Sequence, residues 1–383
     1  MCGIFFYTKG EIKIDDQLIL KGLKHRGPDF KKIINLDESV IGHTLLSIRD
    51  EVDLSIQPVV SSNSRYIISF NGQIYNLNEL IKKFNLNKNI RLDTKIILEL
   101  FELLGLDSIK ELKGMFAILV YDKFNKSIYA FRDNSGQKPL YYFFDNKQIF
   151  FCSEINPIFE NVRSKVKMNK NISDGLRFLS NLGNNTIFDK IYKLLPGENI
   201  QYNLKTRELQ KQFFKSNFKI NDKDNLNDIL NSTINDHLQT NRKMILNLSG
   251  GVDSNIILHE SLKKNSELSV MSTRYETDDQ KYNRDFHLAK EISKNYSVNF
   301  YENYISKDTY INNFVESFEK IEDINANTNN PSYYATYKQI NSLGYKSVLS
   351  GDGGDEIFIG YDWYYLNRYR LINKFLGAGK FLI

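Results

Sequence analysis

Short apolar runs broken by turn residues dominate the first half of the chain. Residues 3–8, 40–48, 66–70, 116–121, 127–132 and 148–152 are rich in Ile, Val, Phe and Tyr. Most are bounded by Gly, Asn, Asp or Lys, which predicts a series of short strands. Two helices interrupt them. From Asp15 to Lys24, Leu18, Ile19 and Leu23 share a face; from Asp93 to Leu104, Ile96, Ile97, Leu100 and Leu104 fall at helical spacing. Clustered strands with few helices predict a layered α+β domain.

The pattern changes after a polar segment at about residues 205–223. A helix is predicted from about Asn225 to His237, then an apolar strand from Met244 to Leu248. "LSVMSTRY" (268–275), "YSVNFY" (296–301) and "KSVLSGDGGDE" (346–356) supply three more strands. Strand, loop and helix in alternation predict a parallel sheet with helices on both faces. The expected domains are therefore 1–205 and 224–383.

The first strand of the second domain runs straight into Ser249-Gly250-Gly251-Val252-Asp253-Ser254 and then into an apolar helix. Two glycines let backbone N–H groups approach an anion, and the helix start adds its positive dipole end. Ser249 and Ser254 add hydroxyl donors. The loop reads as a phosphate cradle, though not a Walker loop, because no Gly-Lys-Ser/Thr follows. The plain alternative is a strand-to-helix turn capped by Asp253. A second Gly-rich loop, Ser350-Gly351-Asp352-Gly353-Gly354-Asp355-Glu356, again follows an apolar strand. Carboxylates beside a phosphate site call for a divalent cation, so Asp253 and Asp352 are the Mg²⁺ candidates.

Cys2 follows the initiator methionine. With Met1 removed, its thiol and α-amine form a compact nucleophile–base pair, since an α-amine titrates near ~8. An accidental cysteine at position 2 is the bland alternative. A Cys–His pair using His25 or His43 is the competing one. Cys152, in the middle of an apolar run, reads as a buried small residue.

Composition narrows the class. The 383 residues suit two or three domains, and 41% hydrophobic with 25% charged residues excludes disordered, collagen-like and coiled-coil chains. The net charge of +5, from 51 basic against 46 acidic residues, is too mild to imply nucleic acid by itself. The "DWYYLNRYR" aromatics (362–370) read as helix packing, with no nucleic-acid motif beside them. Two cysteines exclude a disulfide scaffold and suit a reducing compartment. With no signal-type start and no apolar run near the ~20 residues of a membrane span, a cytoplasmic protein is expected.

Read in order, the motifs resemble the glutamine-hydrolysing asparagine synthetases, which are class II amidotransferases. The resemblance rests on Cys2-Gly3-Ile4, "KHRGPDF" (24–30), "QPV" (57–59), "NGQIYN" (71–76), "DTKIILEL" (93–100), "GMFAILVYD" (114–122), "FRDNSGQKPLYY" (131–142), "SE" (153–154), "LPG" (195–197), SGGVDS and SGDGGDEIF. It implies an N-terminal-nucleophile hydrolase αββα sandwich, then an α/β adenine nucleotide α-hydrolase domain of Rossmann-like, PP-loop type. It further implies glutamine, ATP, Mg²⁺ and a carboxylate acceptor, aspartate, as partners, with a homodimer as a compatible assembly. Ammonia from glutamine would meet an acyl-adenylate made from aspartate and ATP.

By the same resemblance, Cys2 is the nucleophile, the Asn71 side chain and the Gly72 N–H form the oxyanion hole, and Asp93 holds the glutamine α-amine. Asp93 also reads as a helix N-cap. Ser249, Gly250, Gly251, Asp253 and Ser254 hold the pyrophosphate, Ser350 and Gly351 line the adenylate, and Met271 and Ser272 border the adenine. Glu322 falls where the family places a carboxylate that deprotonates the incoming ammonia, with Asp323 as the neighbouring alternative. An ordinary acidic helix end is the bland reading of both.

The chain departs from the family pattern in three places. Leu45 stands where an arginine usually clamps the glutamine α-carboxylate, and leucine forms no bidentate ion pair. Arg49 lies on the same face of an extended strand, ~13 Å further on, and reaches the site only through a rearranged loop. Gln73 replaces an acidic residue that often follows the Asn-Gly pair. The family's long C-terminal helical region, with its lysine near the acyl phosphate, is not found by residue 383; Lys374 and Lys380 align with no such lysine. Two other readings stay open: amidation of a different carboxylate, such as one on a surface-polysaccharide sugar, and a nucleotide-binding chain without a complete synthetase site.

Overall fold

A computed structural model describes all residues except 49–51, 53–54, 88–91, 171, 218–224, 241, 265–266, 326 and 362–383. The chain forms two compact units. Residues 1–229, 239–241 and 312–331 make the first; residues 230–238, 242–311 and 332 onward make the second.

The first unit is built on two six-stranded antiparallel sheets. One places Gly3–Thr8 between Ser39–Leu45 and Ile149–Cys152. The other places Gly114–Asp122 between Tyr66–Ile74 and Ser127–Arg132. Side chains alternate across a strand. Ile4 and Phe6 therefore point into the core between the sheets, with Ile41, Ala117, Leu119 and Ile128. Phe5 and Tyr7 point the other way, into the core beneath helices Asp16–Leu23 and Ile155–Val162. Ile68 and Phe70 likewise face away from the partner sheet, toward helices Leu77–Lys83 and Asp93–Leu104. Three cores in line give the αββα layering, and this is why the central strands lack a polar face.

The second unit holds a four-stranded parallel sheet in the order Phe300–Ile305, Ser269–Tyr275, Met244–Asn247, Ser347–Leu349. Met244 and Leu246 face one core, with Leu258 and Ala289. Ile245 and Met271 face the other, with Ile340. Apolar residues on both faces are what a doubly covered parallel sheet requires.

Two sequence expectations shift. The strand expected over 296–301 forms at Phe300–Ile305, because Tyr296 to Val298 finish the preceding helix. The Val298 N–H bonds the Ser293 carbonyl, and Ser297 takes a positive φ of 54°. The polar segment at 205–223 also contains a strand, Leu209–Phe213, paired at a sheet edge with Glu198–Asn203, where an exposed lysine and glutamines are tolerated. Among the described residues no helix is long and apolar enough to cross a membrane.

Candidate active site

Cys2 sits at the start of the central strand of its sheet, at an open cavity of about 120 Å³. Leu45, Asn71, Gly72, Asp93, Met115 and Lys138 are among the residues lining it. The Leu46 N–H donates to the thiol sulfur at 3.4 Å, and the thiol faces the Leu46 carbonyl at 3.7 Å. Burial pushes the Cys2 thiol up; the Leu46 bond, the chain's amine, Arg26 and Lys138 act against it. Burial also lowers the Met1 amine to about 5.

Asn71 comes from strand Tyr66–Ile74, and its Nδ2 is buried with no hydrogen-bond partner among the described residues. An unpaired buried donor costs about 1–3 kcal/mol, and this one lines the same cavity as the thiol. A Cβ on Gly72 would meet the Met115 carbonyl at 2.1 Å, so only glycine lets the two strands approach here.

Asp93 is the first helical residue, not the cap expected as one reading; Leu92 occupies the cap position. The Asp93 Oδ2 instead accepts the Ile74 N–H at 2.9 Å, tying the helix start to the Asn71 strand. Leu45 is buried and closes one wall of the cavity. Arg49, its suggested substitute, lies outside the described residues. The Gln73 side chain donates to the Gln239 carbonyl at 3.3 Å.

The histidines do not serve the thiol. His43 is buried, its Nε2 is 3.3 Å from the Phe70 carbonyl, and burial lowers it to about 3, so it stays neutral. His25 Nε2 lies 3.4 Å from Glu154. Cys152 is fully buried, and burial raises its thiol far out of the reactive range.

A charged chain of contacts leads away from Cys2. Arg26 donates from Nε to the Cys2 carbonyl at 3.0 Å and from a terminal nitrogen to Glu154. Glu154 adjoins Glu322, whose Oε2 accepts the Ile155 and Asn156 N–H groups at 2.6 and 3.2 Å. Glu322 adopts a φ of 61°, a left-handed conformation uncommon outside glycine. Burial and then the Glu154 charge raise Glu322 to about 8. Burial works the same way on Glu154, but His25 and Arg26 outweigh it and hold that carboxyl down. Asp323, the alternative to Glu322, is occupied by Asn181 and by the Ile187 N–H at 3.2 Å.

The raised Glu322 has a testable sign. Its folded value lies above its unfolded one, so its proton contributes stability that is fully present below ~4.3 and is lost as pH rises through about 8. Glu322→Gln keeps a neutral group at every pH. The Tm of the native chain is expected to fall relative to this variant between about pH 5 and about pH 9. Parallel melting curves across that range would show that no proton is held there.

In the second unit, the Ser249 and Ser254 hydroxyls lie 3.0 Å apart, and Ser249 Oγ accepts the Gly251 N–H at 3.1 Å. Gly251 caps helix Val252–Leu262 without any side-chain bond, so Asp253 is not the cap. Gly250 is required by packing: its Cβ would lie 2.8 Å from Leu288. The second Gly-rich loop closes against Asp253. A Cβ on Gly354 would fall 2.6–3.0 Å from that carboxylate, and one on Gly351 3.1 Å from its Cβ. Burial, then Asp355 and Glu356, raise Asp253. Asp352, the other expected metal partner, accepts the Ser350 hydroxyl at 2.8 Å.

Met271 is fully buried among Ile245 and Ile340, so its side chain is core rather than a wall open to a base. Ser272 is buried beside it. Among the described residues no cluster of three or more His, Cys, Asp or Glu forms a metal cage. Mg²⁺ typically takes one or two carboxylates with substrate phosphates, and crowded carboxylates around Asp253 fit that mode.

A cavity holding a thiol and an orphaned amide donor, and a separate Gly-rich strand-to-helix loop, agree with whole-chain comparison. A model described as glutamine amidotransferase domain matches residues 1–214, and one described as asparagine synthase matches residues 225–379. The chain belongs to the glutamine-hydrolysing asparagine synthetase family. It is 30% identical to a putative asparagine synthetase of Methanocaldococcus jannaschii, over 97% of this chain and 77% of that one. It is 28% identical to a probable asparagine synthetase of Acanthamoeba polyphaga mimivirus, over 95% and 68%. Asparagine synthetase 1 of Bacillus subtilis is 28% identical over 92% of this chain, which spans 56% of that protein. Membership makes the chain a carbon–nitrogen ligase type with a class II amidotransferase unit and a PP-loop nucleotide unit.

Arg26, Glu154 and Lys138 escaped the sequence reading of the site. Each lies inside a motif that carries the resemblance, but nothing in the spacing shows that Arg26 joins Cys2 to Glu154, or that Lys138 enters the cavity.

Proposed function

We propose that this chain makes asparagine from aspartate, using ATP and nitrogen freed from glutamine at Cys2. The observation that carries the glutaminase half is the unpaired Asn71 Nδ2 in the cavity of the Cys2 thiol. With Met1 removed, the Cys2 amine takes the thiol proton, and the sulfur attacks the glutamine amide carbon. Asn71 Nδ2 and the Gly72 N–H hold the charge on the amide oxygen, and Asp93 pairs with the substrate α-amine. The amine returns the proton to the departing ammonia, and water releases glutamate from the thioester.

In the second unit the Ser249–Ser254 loop holds the pyrophosphate and Ser350 and Gly351 border the adenylate. Asp253 would hold Mg²⁺ together with an acid of the second loop, Asp352 or its neighbours. A bound Mg²⁺ would neutralise the phosphates. The aspartate β-carboxylate attacks the α-phosphorus, pyrophosphate leaves, and ammonia displaces AMP. Glu322 takes the proton lost by the attacking nitrogen; a carboxyl near 8 is well matched to that role.

The deciding measurement is pyrophosphate release with ATP, Mg²⁺ and a panel of carboxylates. Release that depends on aspartate and yields asparagine is expected. Release with another acid only, or asparagine from neither glutamine nor ammonia, overturns the proposal. A buried Leu45 in place of a cation favours a second reading, in which free ammonia is the better nitrogen donor.

A further inference from the structure

Lys138 has no role in the steps above, yet it is more than nine-tenths buried in the cavity of Cys2. The loop that carries it is clamped. Asp133 accepts the N–H groups of Ser135, Gln137 and Lys138 at 3.0–3.1 Å. Arg132 donates to the Lys138 carbonyl at 2.8 Å and the Gly136 carbonyl at 2.5 Å. The Lys138 ammonium itself makes no hydrogen bond or ion pair with a described residue. A buried cation without a partner is costly, so a site that keeps one has an anion to offer it.

The charged groups around it are few. Arg26 is committed to the Cys2 carbonyl and to Glu154. Asp133 is taken up by backbone donors. Asp29 accepts the Ser47 N–H at 2.8 Å. Asp93, on the lining of the same cavity, accepts the Ile74 N–H at 2.9 Å. The chain's amine and the Cys2 thiol lie there too. Burial, then Arg26, lower Lys138 to about 8; the Asp133 charge and, after it, a charged Cys2 oppose that shift.

We propose that the Lys138 ammonium is the counter-charge of the Cys2 thiolate, and so sets the fraction of thiol that is nucleophilic. This rests on Cys2 being the glutaminase nucleophile. Lys138 accepts no proton in this step; the thiol proton goes to the α-amine or to water.

The test is the pH profile of Cys2 alkylation by iodoacetamide in the full chain, located by peptide mass, for the native protein, Lys138→Met, Lys138→Gln and Lys138→Arg. The Met and Gln variants are expected to move the profile up by about one pH unit and slow alkylation at neutral pH about tenfold, with Arg restoring it. Unmoved profiles in folded Met and Gln variants overturn the proposal. So does a change confined to the KM for glutamine, which would make Lys138 a substrate contact only. Failure of the underlying reading looks different: Cys2→Ala would then retain glutaminase activity.

Discussion

Cys2→Ala is expected to remove glutamine-dependent activity by at least ~10³-fold while leaving ammonia-dependent pyrophosphate release within about twofold. In the proposed mechanism sulfur is the atom that becomes acylated, and no described residue stands by to replace it. His43 is neutral and bonded to the facing sheet, and His25 is turned to Glu154. Alanine fills less space than cysteine at a half-buried strand start, so the sandwich should tolerate it. Glutamate production and pyrophosphate release, measured on the same preparation, separate the two halves. Unchanged glutamate production would remove the thiol from the chemistry, and loss of both activities would show instead that the variant had misfolded.

Asp253→Asn is the complementary experiment. Its expected effect is a fall of about 10²-fold in ATP–pyrophosphate exchange, with glutaminase activity retained. Asp253 is enclosed by Gly351 and Gly354, so asparagine keeps the shape but loses the charge. The native carboxylate is held beside Asp355 and Glu356 with its ionisation opposed, first by burial and then by their charge. Removing one charge relieves that repulsion, so the variant should melt no lower than the native chain near neutral pH. Lost activity with undiminished Tm is the mark of a group kept for chemistry at some cost in stability. Exchange unaffected by the substitution would rule out Asp253 as a metal ligand.

Much of the fold is legible because burial writes itself into period. Helix Asp93–Leu104 and strand Ser127–Arg132 form where the apolar spacing places them. Strands Glu198–Asn203 and Phe30–Asn35 escaped, since their mixed polar residues break the apolar alternation that marks a strand, even though each pairs with the strand that follows it. Residue type alone singles out Cys2 and Asn71, which line one cavity, and the two glycine loops, which close on Asp253. The site is illegible where a role depends on three-dimensional neighbours. Asp253 looks like a cap in one dimension, yet Gly251 caps the helix. Met271 lies inside strand Ser269–Tyr275 rather than at its end, and the second core claims its side chain.

The strand that carries Cys2 is hydrogen-bonded on one side to Ser39–Leu45 and on the other to Ile149–Cys152. During synthesis at ~5–20 residues per second, the second of those partners emerges on the order of ten seconds after the first residues. Until then the thiol lacks the Lys138 loop and one flanking strand, and it behaves as an ordinary cysteine of an unfolded chain. Reactivity is therefore acquired late and all at once. A topology of such long sequence separations folds slowly, and the same separation keeps the nucleophile inert until the walls that direct it are in place.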